Sequence, residues 1–358
     1  QGGGAEKAIM NLASGLAERG LDIDLILVNA KGPFLLDLSL KVHVVDLGAS
    51  RVLASLPGLV RYLRREKPKV VLSSLEHANI IAIFAKVLSC APTNIILCQH
   101  TPLSFSLPSP NTLIGKMMPS LVRMCYSKAD VVVSVSRGVS LDLINNFGLE
   151  ANKVRTIYNP IINSQLYDLG HENISHPWFK PEHPPVIIAV GRLSVEKDYP
   201  TLIHAFHQIR SQRSVRLVIL GEGDERPKLE TIVRELNLGE DVDLPGFVRN
   251  PYALMMKASC FVLPSLFEGF GNVLVEALAM GCPVVSTDCP TGPTEILEGG
   301  RWGSLIPVGD SEAMAAAILK NLDIIRENNP PPLTSYLQRF ELDEVMSQYL
   351  DVIFADNH

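Results

Sequence analysis

The stretch CFVLPSLFEGFGNVLVEALAMG, residues 260–281, contains the elements from which a layered α/β protein is built. CFVLPS is apolar enough for a strand that is buried on both faces, and LFEGFG is a loop that contains glycine. NVLVEALAMG has the spacing of an amphipathic helix, and Gly281 is a favourable residue for its end. A buried strand followed by a short loop and a helix predicts a parallel sheet with helices on its faces.

The same alternation of strands and helices runs through the chain in two series. The first series of strand candidates comprises IDLILV, KVHVVDL, KVVLSS, NIILCQH, DVVVSVS and VRTIYNP. The second comprises PVIIAVGRL, VRLVILGEG, VDLPGF, CFVLPS, PVVST and GSLIPVGD. We therefore predict an α/β protein with two doubly wound, Rossmann-like domains that face each other across a ligand-binding cleft.

The length of 358 residues exceeds what one hydrophobic core usually serves, which also favours two domains. We predict an N-terminal domain over 1–162, a polar linker over 163–183 and a C-terminal domain over 184–335. The last segment, 336–358, is predicted to form a helix that packs back on the N-terminal domain. The chain opens with the glycine loop and helix QGGGAEKAIMNLASGLAERG but lacks the buried strand that normally precedes such a loop. We therefore expect that the first strand is missing from this sequence.

Composition narrows the class of protein. A hydrophobic content of 47% and a charged content of 20% are typical of a packed globular protein. The six cysteines have no metal-binding spacing, which favours reduced thiols. No apolar run reaches the roughly 18 residues of a membrane span, and no signal peptide is apparent. We expect a cytoplasmic protein that is at most peripheral on the inner face of the plasma membrane.

Charge is distributed unevenly along the chain. Residues 1–160 contain 17 Lys and Arg against 11 Asp and Glu, whereas the whole chain has a net charge of −6. The densest basic cluster is RYLRREKPK, with Arg61, Arg64 and Arg65. It is either a solvated helix end or a surface for an anionic partner, such as a phospholipid surface or a lipid-phosphate acceptor. Few aromatic residues interleave with these charges, which argues against nucleic acid as a partner.

Two carboxylates, Glu268 and Glu276, flank a Gly-Phe-Gly sequence. In a helix the residues between them would rise about 12 Å. Carboxylate pairs that hydrolyse glycosides are closer, at roughly 5 Å or roughly 6.5–9.5 Å. We therefore predict that the two glutamates hold opposite ends of one extended ligand. The backbone amides of 269–272 open a helix between them and favour an anion, so the ligand has the features of a nucleotide-sugar.

A second motif, VGRLSVEKDYPTL, places two cations directly after a buried strand. Arg192 offers a planar fork for phosphate oxygens, and Lys197 offers a mobile point charge. Together they would stabilise the negative charge of a departing nucleoside diphosphate without a metal ion. The alternative is that they pair with Glu196 and Asp198 on a surface turn.

Four segments resemble the retaining glycosyltransferases of family 4, which have the GT-B fold. They are GGGAEKAIMNLASGLAERG, GRLSVEKDYPTLIHAF, GEGDERPKLE and FEGFGNVLVEALAMGCPVVSTDCPTGPTEIL. The resemblance implies a nucleotide-sugar donor bound mostly by the second domain and an acceptor bound mostly by the first. It also implies transfer with retention of configuration, and neither a cofactor nor a metal ion.

The resemblance also assigns roles to individual residues. Arg192 and Lys197 would clamp the diphosphate, Glu268 would hold the donor sugar, and Glu276 would hold the ribose hydroxyls. The full donor-binding set is Gly3, Gly4, Arg192, Lys197, Phe247, Val248, Glu268, Gly269, Phe270, Gly271, Asn272, Val273 and Glu276. The catalytic set is His100, Glu268, Arg192 and Lys197.

His100 ends the strand candidate NIILCQH and matches the family's histidine near the reacting sugar. Without the resemblance, a structural histidine at a strand end is an equally good interpretation. His77 is a weaker candidate. For the substrates, STDCPTGPTEIL favours a UDP-linked N-acetylhexosamine or hexose, and the mixed apolar and basic segment LIGKMMPSLVRMCYSKAD is consistent with a glycan or lipid-linked acceptor in surface polysaccharide assembly.

Three alternatives remain open from the sequence. Metal-dependent glycosyltransferases of the other major fold use an Asp-x-Asp pair, and Asp22/Asp24 and Asp241/Asp243 have that spacing. Both pairs stand at predicted strand starts, where exposed acidic residues are common. A nucleotide-sugar epimerase would share the architecture and the ligand, but it would need no acceptor. An inactive nucleotide-sugar-binding module is the third alternative.

Overall fold

The computed structural model describes residues 3–30, 35, 37–107, 112–174, 176–180, 182–323 and 334–355. Gln1 and Gly2, which open the glycine loop, lie outside this part of the chain. The described residues divide into two compact units. The first unit comprises residues up to 161 and from 339 onwards, and the second comprises residues 162–338.

The first unit consists of parallel strands that alternate with helices. Its elements, in chain order, are α1 (Gly4–Glu18), β1 (Asp24–Leu27), β2 (His43–Asp46), α2 (Leu56–Glu66), β3 (Val70–Ser74), α3 (Glu76–Ser89), β4 (Asn94–Gln99), α4 (Leu103–Ser106), α5 (Leu113–Tyr126), β5 (Val131–Ser134), α6 (Arg137–Asn145) and β6 (Val154–Thr156). β1 and β2 form one parallel pair, and the other strands form a parallel sheet in the order β3-β4-β5-β6. Each strand falls within a run that the sequence predicts to be a strand.

The second unit has a larger sheet. Its elements are α7 (Ser164–Gly170), β7 (Val186–Val190), α8 (Tyr199–Arg210), β8 (Arg216–Leu220), α9 (Arg226–Glu235), β9 (Val242–Gly246), α10 (Tyr252–Lys257), β10 (Cys260–Leu263), α11 (Asn272–Ala279), β11 (Val284–Thr287), α12 (Pro293–Ile296), β12 (Ser304–Ile306), α13 (Ser311–Leu322) and α14 (Thr334–Leu337). The sheet is parallel, with six strands in the order β12-β11-β10-β7-β8-β9.

The strand order of the second sheet fixes where a ligand can bind. The chain builds outward from β7 to β9, then crosses back and builds outward on the other side from β10 to β12. β7 and β10 are therefore neighbours whose following connections run to opposite sides of the sheet. In doubly wound sheets this reversal leaves a crevice at the carboxyl ends of the two strands. The loops that follow β7 and β10 meet at that point.

The stretch predicted as a linker, 163–183, lies in the second unit and contains helix α7. Leu166 on this helix is buried, and a side chain at Gly170 would collide with Met280 Sδ at 2.7 Å and Met256 Cε at 2.8 Å. The helix is therefore packed closely on α10 and on the end of α11. A helix of seven residues is too short for hydrophobic periodicity to reveal it.

The last helix, α15 (Leu342–Phe354), belongs to the first unit. Val345, Met346 and Tyr349 are buried in one cluster with Leu12 and Leu16 of α1. The segment before it is fixed by a hydrogen bond from the Ile161 amide to the Phe340 carbonyl, at 3.0 Å. The chain thus returns to the first unit after residue 338, close to the predicted boundary at 336. In the part of the chain that the structure describes, no helix is long and apolar enough to cross a membrane.

Candidate functional site

An ion pair joins the loops that follow β7 and β10. Lys197, after β7, contacts Glu268 Oε1, after β10, and the two side chains are only 17% and 11% exposed. The Leu266 amide also donates to the Glu196 carbonyl at 2.8 Å. The two motifs that the sequence singles out, 71 residues apart, are therefore held together at the point where the strand order reverses.

The carboxylate of Glu268 has one fixed oxygen. Its Oε1 accepts from the Lys197 ammonium and also from Ser265 Oγ at 2.7 Å, and Ser265 is fully buried. Among the described residues, Oε2 accepts no hydrogen bond. The carboxylate is thus held in one orientation, with its charge balanced, while one oxygen stays available to a donor from outside the protein.

A neighbouring loop braces the glycine segment between the two glutamates. Thr291 Oγ1 donates to the Glu268 carbonyl, and Gly292, with φ of 84°, approaches the Phe270 carbonyl so closely that a Cβ at 292 would lie 2.0 Å from its oxygen. Phe270 itself is buried, so only its backbone can face a ligand. Gly271, with φ of 99°, turns the chain into α11. Contacts with the loop at Thr291 and Gly292 therefore fix the backbone orientation of this turn.

Glu276 lies in α11 and is buried. Tyr252, the first residue of α10, donates from its hydroxyl to Glu276 Oε1 at 3.1 Å. Burial of a carboxylate is costly unless hydrogen-bond donors compensate it, and the phenol is one such donor. The predicted role of Glu276 toward a ribose stays a prediction.

Arg192 and Lys197 differ in their surroundings. Lys197 pairs with Glu268 rather than with Glu196 or Asp198, which was the alternative interpretation of this motif. Ser194 Oγ donates to Glu196 and Thr201 Oγ1 donates to Asp198. Arg192 is exposed, and within the described ranges its side chain has neither an ion pair nor a hydrogen bond.

Phe247 and Val248 follow the end of β9, which is the edge strand of the same sheet and is separated from β7 by β8. The Phe247 ring is 61% exposed, and Val248 is half-buried. Gly246, with φ of 90°, leaves room for Glu222, because a Cβ at 246 would lie 2.6 Å from Glu222 Oε1. The aromatic ring therefore stands at the surface next to a fixed turn.

The remaining predicted residues belong to the first unit. The Gly3 amide, directly before α1, donates to Glu6 Oε2 at 2.8 Å, and Gly4 begins that helix. His100 directly follows β4 and its Nε2 lies 2.7 Å from Ser74 Oγ. Its Nδ1 is enclosed and has no partner among the described residues. Burial lowers the pKa of His100 to about 4, so the imidazole is neutral near pH 7. The roles of Gly3, Gly4 and His100 toward a donor stay predictions, and His77, 64% exposed, lies beside Glu76.

Three of the four aspartates in the two Asp-x-Asp pairs contact protein groups. Asp24 accepts from the Tyr62 hydroxyl and lies 3.1 Å from His43 Nδ1. Asp241 pairs with Arg210 at 2.6 Å and with Arg216 at 2.8 Å, and Asp243 lies 2.9 Å from His176 Nε2. In the described part of the chain, no group of three or more His, Cys, Asp or Glu is arranged to hold a metal ion.

Three contacts at the site were not predicted from the sequence, namely those of Ser265, Tyr252 and Thr291. Ser265 is three residues before Glu268, a spacing at which a loop hydroxyl can reach the carboxylate. Tyr252 is distant from Glu276 in sequence and carries no motif of its own. Thr291 has φ of 67°, which no sequence pattern announces.

The chain has two units of alternating strands and helices, and the second unit carries a cation–carboxylate pair where its strand order reverses. Both features are those that the resemblance to the GT-B glycosyltransferases predicts. Models of two families match the chain: Glycosyltransferase Family 4 over residues 2–164, and Glycosyl transferases group 1 over residues 184–323. These matches cover most of the sequence. The chain therefore belongs to the family 4, group 1 glycosyltransferases, as the resemblance implied.

Individual relatives agree with this assignment. The N-acetylgalactosamine-N,N'-diacetylbacillosaminyl-diphospho-undecaprenol 4-alpha-N-acetylgalactosaminyltransferase of Campylobacter jejuni is 34% identical over 242 residues, which are 67% of this chain and 63% of that protein. The match thus spans less than two thirds of that relative's length. The lipopolysaccharide core biosynthesis glycosyltransferase LpsE of Rhizobium meliloti is 27% identical over 323 residues, 88% of this chain and 84% of that one.

Solved structures confirm the predicted GT-B fold. HepE of Anabaena, crystallised with UDP-glucose, superposes with a TM-score of 0.82 at 21% identity, covering 99% of this chain and 97% of that chain. The apo lipopolysaccharide outer core galactosyltransferase WaaB has a TM-score of 0.73 at 20% identity, covering 99% and 96%. At this level of identity the likeness concerns the fold.

The Lys197–Glu268 pair is expected to couple the two loops energetically. Lys197→Met and Glu268→Gln should each lower the free energy of unfolding by about 2–3 kcal/mol, because each leaves the partner's polar group buried without compensation. The double variant should lose less than the sum, with a coupling energy of about 1–2 kcal/mol. Urea unfolding followed by tryptophan fluorescence reports on the second unit, which contains both Trp178 and Trp302.

The exposed pair Lys228–Glu225, at 3.0 Å, is the matched control. The corresponding cycle there should give a coupling of no more than about 0.5 kcal/mol, because solvent screens the charges. Strict additivity of Lys197→Met and Glu268→Gln would show that the two side chains are not energetically coupled.

The half-buried His100, whose Nδ1 is enclosed, predicts a pH-dependent stability of the first unit. Its folded pKa of about 4 lies below the ordinary histidine value of 6.5, so between these two pH values the unfolded chain binds a proton that the folded chain does not. Stability should therefore fall as pH is lowered from about 6.5 to about 4, by at most about 3 kcal/mol. His100→Asn should remove this loss. Urea unfolding followed by far-UV circular dichroism at several pH values measures the difference, and exposed His77→Asn serves as the control. A difference that stays constant with pH would contradict the burial of a neutral imidazole.

Proposed function

We propose that this protein is a metal-independent, retaining glycosyltransferase that uses a nucleotide-sugar, with a UDP-sugar favoured, and transfers an N-acetylhexosamine or hexose to a glycan or lipid-linked acceptor. The observation that carries the proposal is the Lys197–Glu268 pair at the reversal of the strand order. In this pair Lys197 would bind phosphate oxygens and Glu268, directly beside it, would bind a hydroxyl group.

The diphosphate would bind at the cations. The Lys197 ammonium donates one hydrogen bond to Glu268, and its other N–H groups could donate to phosphate oxygens. The exposed guanidinium of Arg192 would add a planar fork. Backbone amides at the start of α11, from Gly269 through Asn272, favour negative charge at the same place. Val273, in the first turn of this helix, would border the same region.

The two glutamates would hold hydroxyl groups on either side of the diphosphate. Glu268 Oε2 would accept from a donor-sugar hydroxyl, and Lys197 keeps the carboxylate from repelling the phosphates. Glu276 would accept from the ribose. The exposed ring of Phe247, with Val248 beside it, would pack against the nucleobase.

The reaction would proceed on one face of the donor sugar. The acceptor oxygen forms a bond to the anomeric carbon while the bond from that carbon to the diphosphate oxygen breaks. The acceptor proton passes to a phosphate oxygen of the leaving nucleoside diphosphate, and configuration is retained. Arg192, Lys197 and the amides stabilise the charge that develops on the diphosphate. In this scheme the neutral imidazole of His100 would form a hydrogen bond with a hydroxyl group of the donor sugar.

The relatives support the choice of substrates. HepE was solved with UDP-glucose, and the Campylobacter enzyme is named for a diphospho-undecaprenol substrate. A UDP-sugar donor and a lipid-linked acceptor are therefore the first substrates to test.

A basic surface on α2 supports the proposal that the protein binds an anionic membrane, where a lipid-linked acceptor would be located. Leu56, Val60 and Leu88 line a groove between α2 and α3, and Arg61, Arg64 and Arg65 surround it. Leu53 and Val87 are exposed nearby. Apolar residues rimmed by arginine are complementary to an anionic phospholipid surface. The protein would then be peripheral on the inner face of the plasma membrane.

Turnover is the first test of the proposal. Glu268→Ala and Arg192→Ala should each lower kcat by at least about 100-fold with UDP-sugars, because each removes a group that stabilises the transition state. EDTA should leave turnover unchanged, and proton NMR of the product should show the configuration of the donor. Near wild-type turnover in both variants would show that the assigned site is wrong, and loss of activity in EDTA would overturn metal independence. A product formed without acceptor would indicate an epimerase, and donor binding without any transfer would indicate an inactive module.

Vesicle sedimentation tests the membrane surface. The wild-type protein should sediment with vesicles that contain phosphatidylglycerol and not with pure phosphatidylcholine, and binding should weaken as salt is raised. Arg61→Glu combined with Arg65→Glu should reduce binding about tenfold or more, at about 1 kcal/mol per lost basic residue. Lys228→Glu combined with Lys257→Glu, in the second unit, is the charge-matched control. Unchanged binding of the arginine variant would exclude this surface.

A further inference from the structure

Tyr252 is a buried residue at the start of α10 whose hydroxyl faces the site helix. It lies 3.1 Å from Glu276 Oε1. A carboxylate can only accept, so the phenol is the donor. The phenol and the carboxylate are both buried, and this hydrogen bond fixes one oxygen of Glu276 in the interior of the second unit.

The position of Tyr252 is itself fixed from behind. Asn250 Oδ1 accepts from the Tyr252 amide at 3.1 Å, and Asn250 Nδ2 donates to the Leu169 carbonyl and to Glu172 Oε2, both at 2.8 Å. Asn250 therefore ties the first turn of α10 to the end of α7. The backbone of Tyr252 is thus held by the Asn250 side chain, through hydrogen bonds that involve no ligand.

This arrangement makes the two carboxylate oxygens of Glu276 different, because the phenol donates to Oε1. With Oε1 held by the phenol, rotation of the carboxylate about its last bond would cost the buried hydrogen bond. A fixed carboxylate presents its second oxygen in one direction, which is what selective recognition of a hydroxyl pair requires. Loss of the phenol hydroxyl would remove this donor from Oε1 without loss of the carboxylate's charge.

We propose that Tyr252 is a positioning residue that sets the selectivity for ribose over deoxyribose by holding Glu276 in its hydroxyl-binding orientation. The inference rests on the proposed function, since it takes Glu276 as the residue that binds the ribose. Tyr252 would not touch the donor, and its effect would pass through the carboxylate.

Calorimetric titration with UDP and with 2′-deoxy-UDP tests the inference. The wild-type protein should bind UDP about tenfold or more tightly than 2′-deoxy-UDP, the value of one hydrogen bond to a charged group. Tyr252→Phe should weaken UDP several-fold and leave 2′-deoxy-UDP nearly unchanged, so the selectivity ratio falls toward one. In a Glu276→Gln background, Tyr252→Phe should have no further effect on the ratio, because the residue through which it acts has been altered.

Tyr336→Phe is the matched control, because Tyr336 is also buried in the second unit and its hydroxyl donates to the Ile296 carbonyl. It should leave the ratio unchanged at a similar cost in stability. Equal weakening of both nucleotides by Tyr252→Phe would show a merely structural role and would overturn the inference alone. Failure of the wild-type protein to bind UDP would overturn the proposed function and the inference with it.

Discussion

In the second unit, the reversal of strand order between β7 and β10 determines where charged groups can gather. Parallel strands send all their following loops to one edge of the sheet, and only at the reversal do two adjacent loops leave a gap between them. Lys197 comes from one of these loops and Glu268 from the other. Burying either charge alone would cost folding free energy, and the pairing offsets this cost for both side chains. The pair fixes both loops before any ligand enters.

The second consequence of the pair is chemical. A site for a nucleotide-sugar needs a negative group to bind hydroxyls and positive groups to bind phosphates, within one small volume. Lys197 and Ser265 both contact the same oxygen of Glu268, which leaves the second oxygen unused within the described residues. The charges are thus balanced while one carboxylate oxygen stays available for a ligand hydroxyl. The hydroxyl of Ser265 and the phenol of Tyr252 thus donate the hydrogen bonds to Glu268 and Glu276 that water would donate at the surface.

The sequence predicts the strands and the polar ends of the site better than it predicts the supports. Apolar runs such as CFVLPS and PVIIAV lie in a fully covered parallel sheet, where composition alone identifies a strand. Arg192, Lys197 and Glu268 stand directly after such runs and could be placed on one sheet edge. Their pairing could not be predicted, because it depends on which strands are neighbours. Helix α7 and the contact of Tyr252 with Glu276 depend on tertiary packing between short segments, for which no periodic signal exists.

The close approach of Gly292 to the Phe270 carbonyl has a consequence for how such proteins can diverge or be recombined. The two loops share one backbone contact that any side chain at 292 would break, so neither can be exchanged alone. A chimera that takes only residues 266–271 from a relative would pair this loop with a residue 292 that does not match its backbone. Residues 264–292 form the smallest block that carries both surfaces of the contact. Modular exchange of donor preference between family members should therefore follow the boundaries of this block rather than those of the shorter glutamate motif.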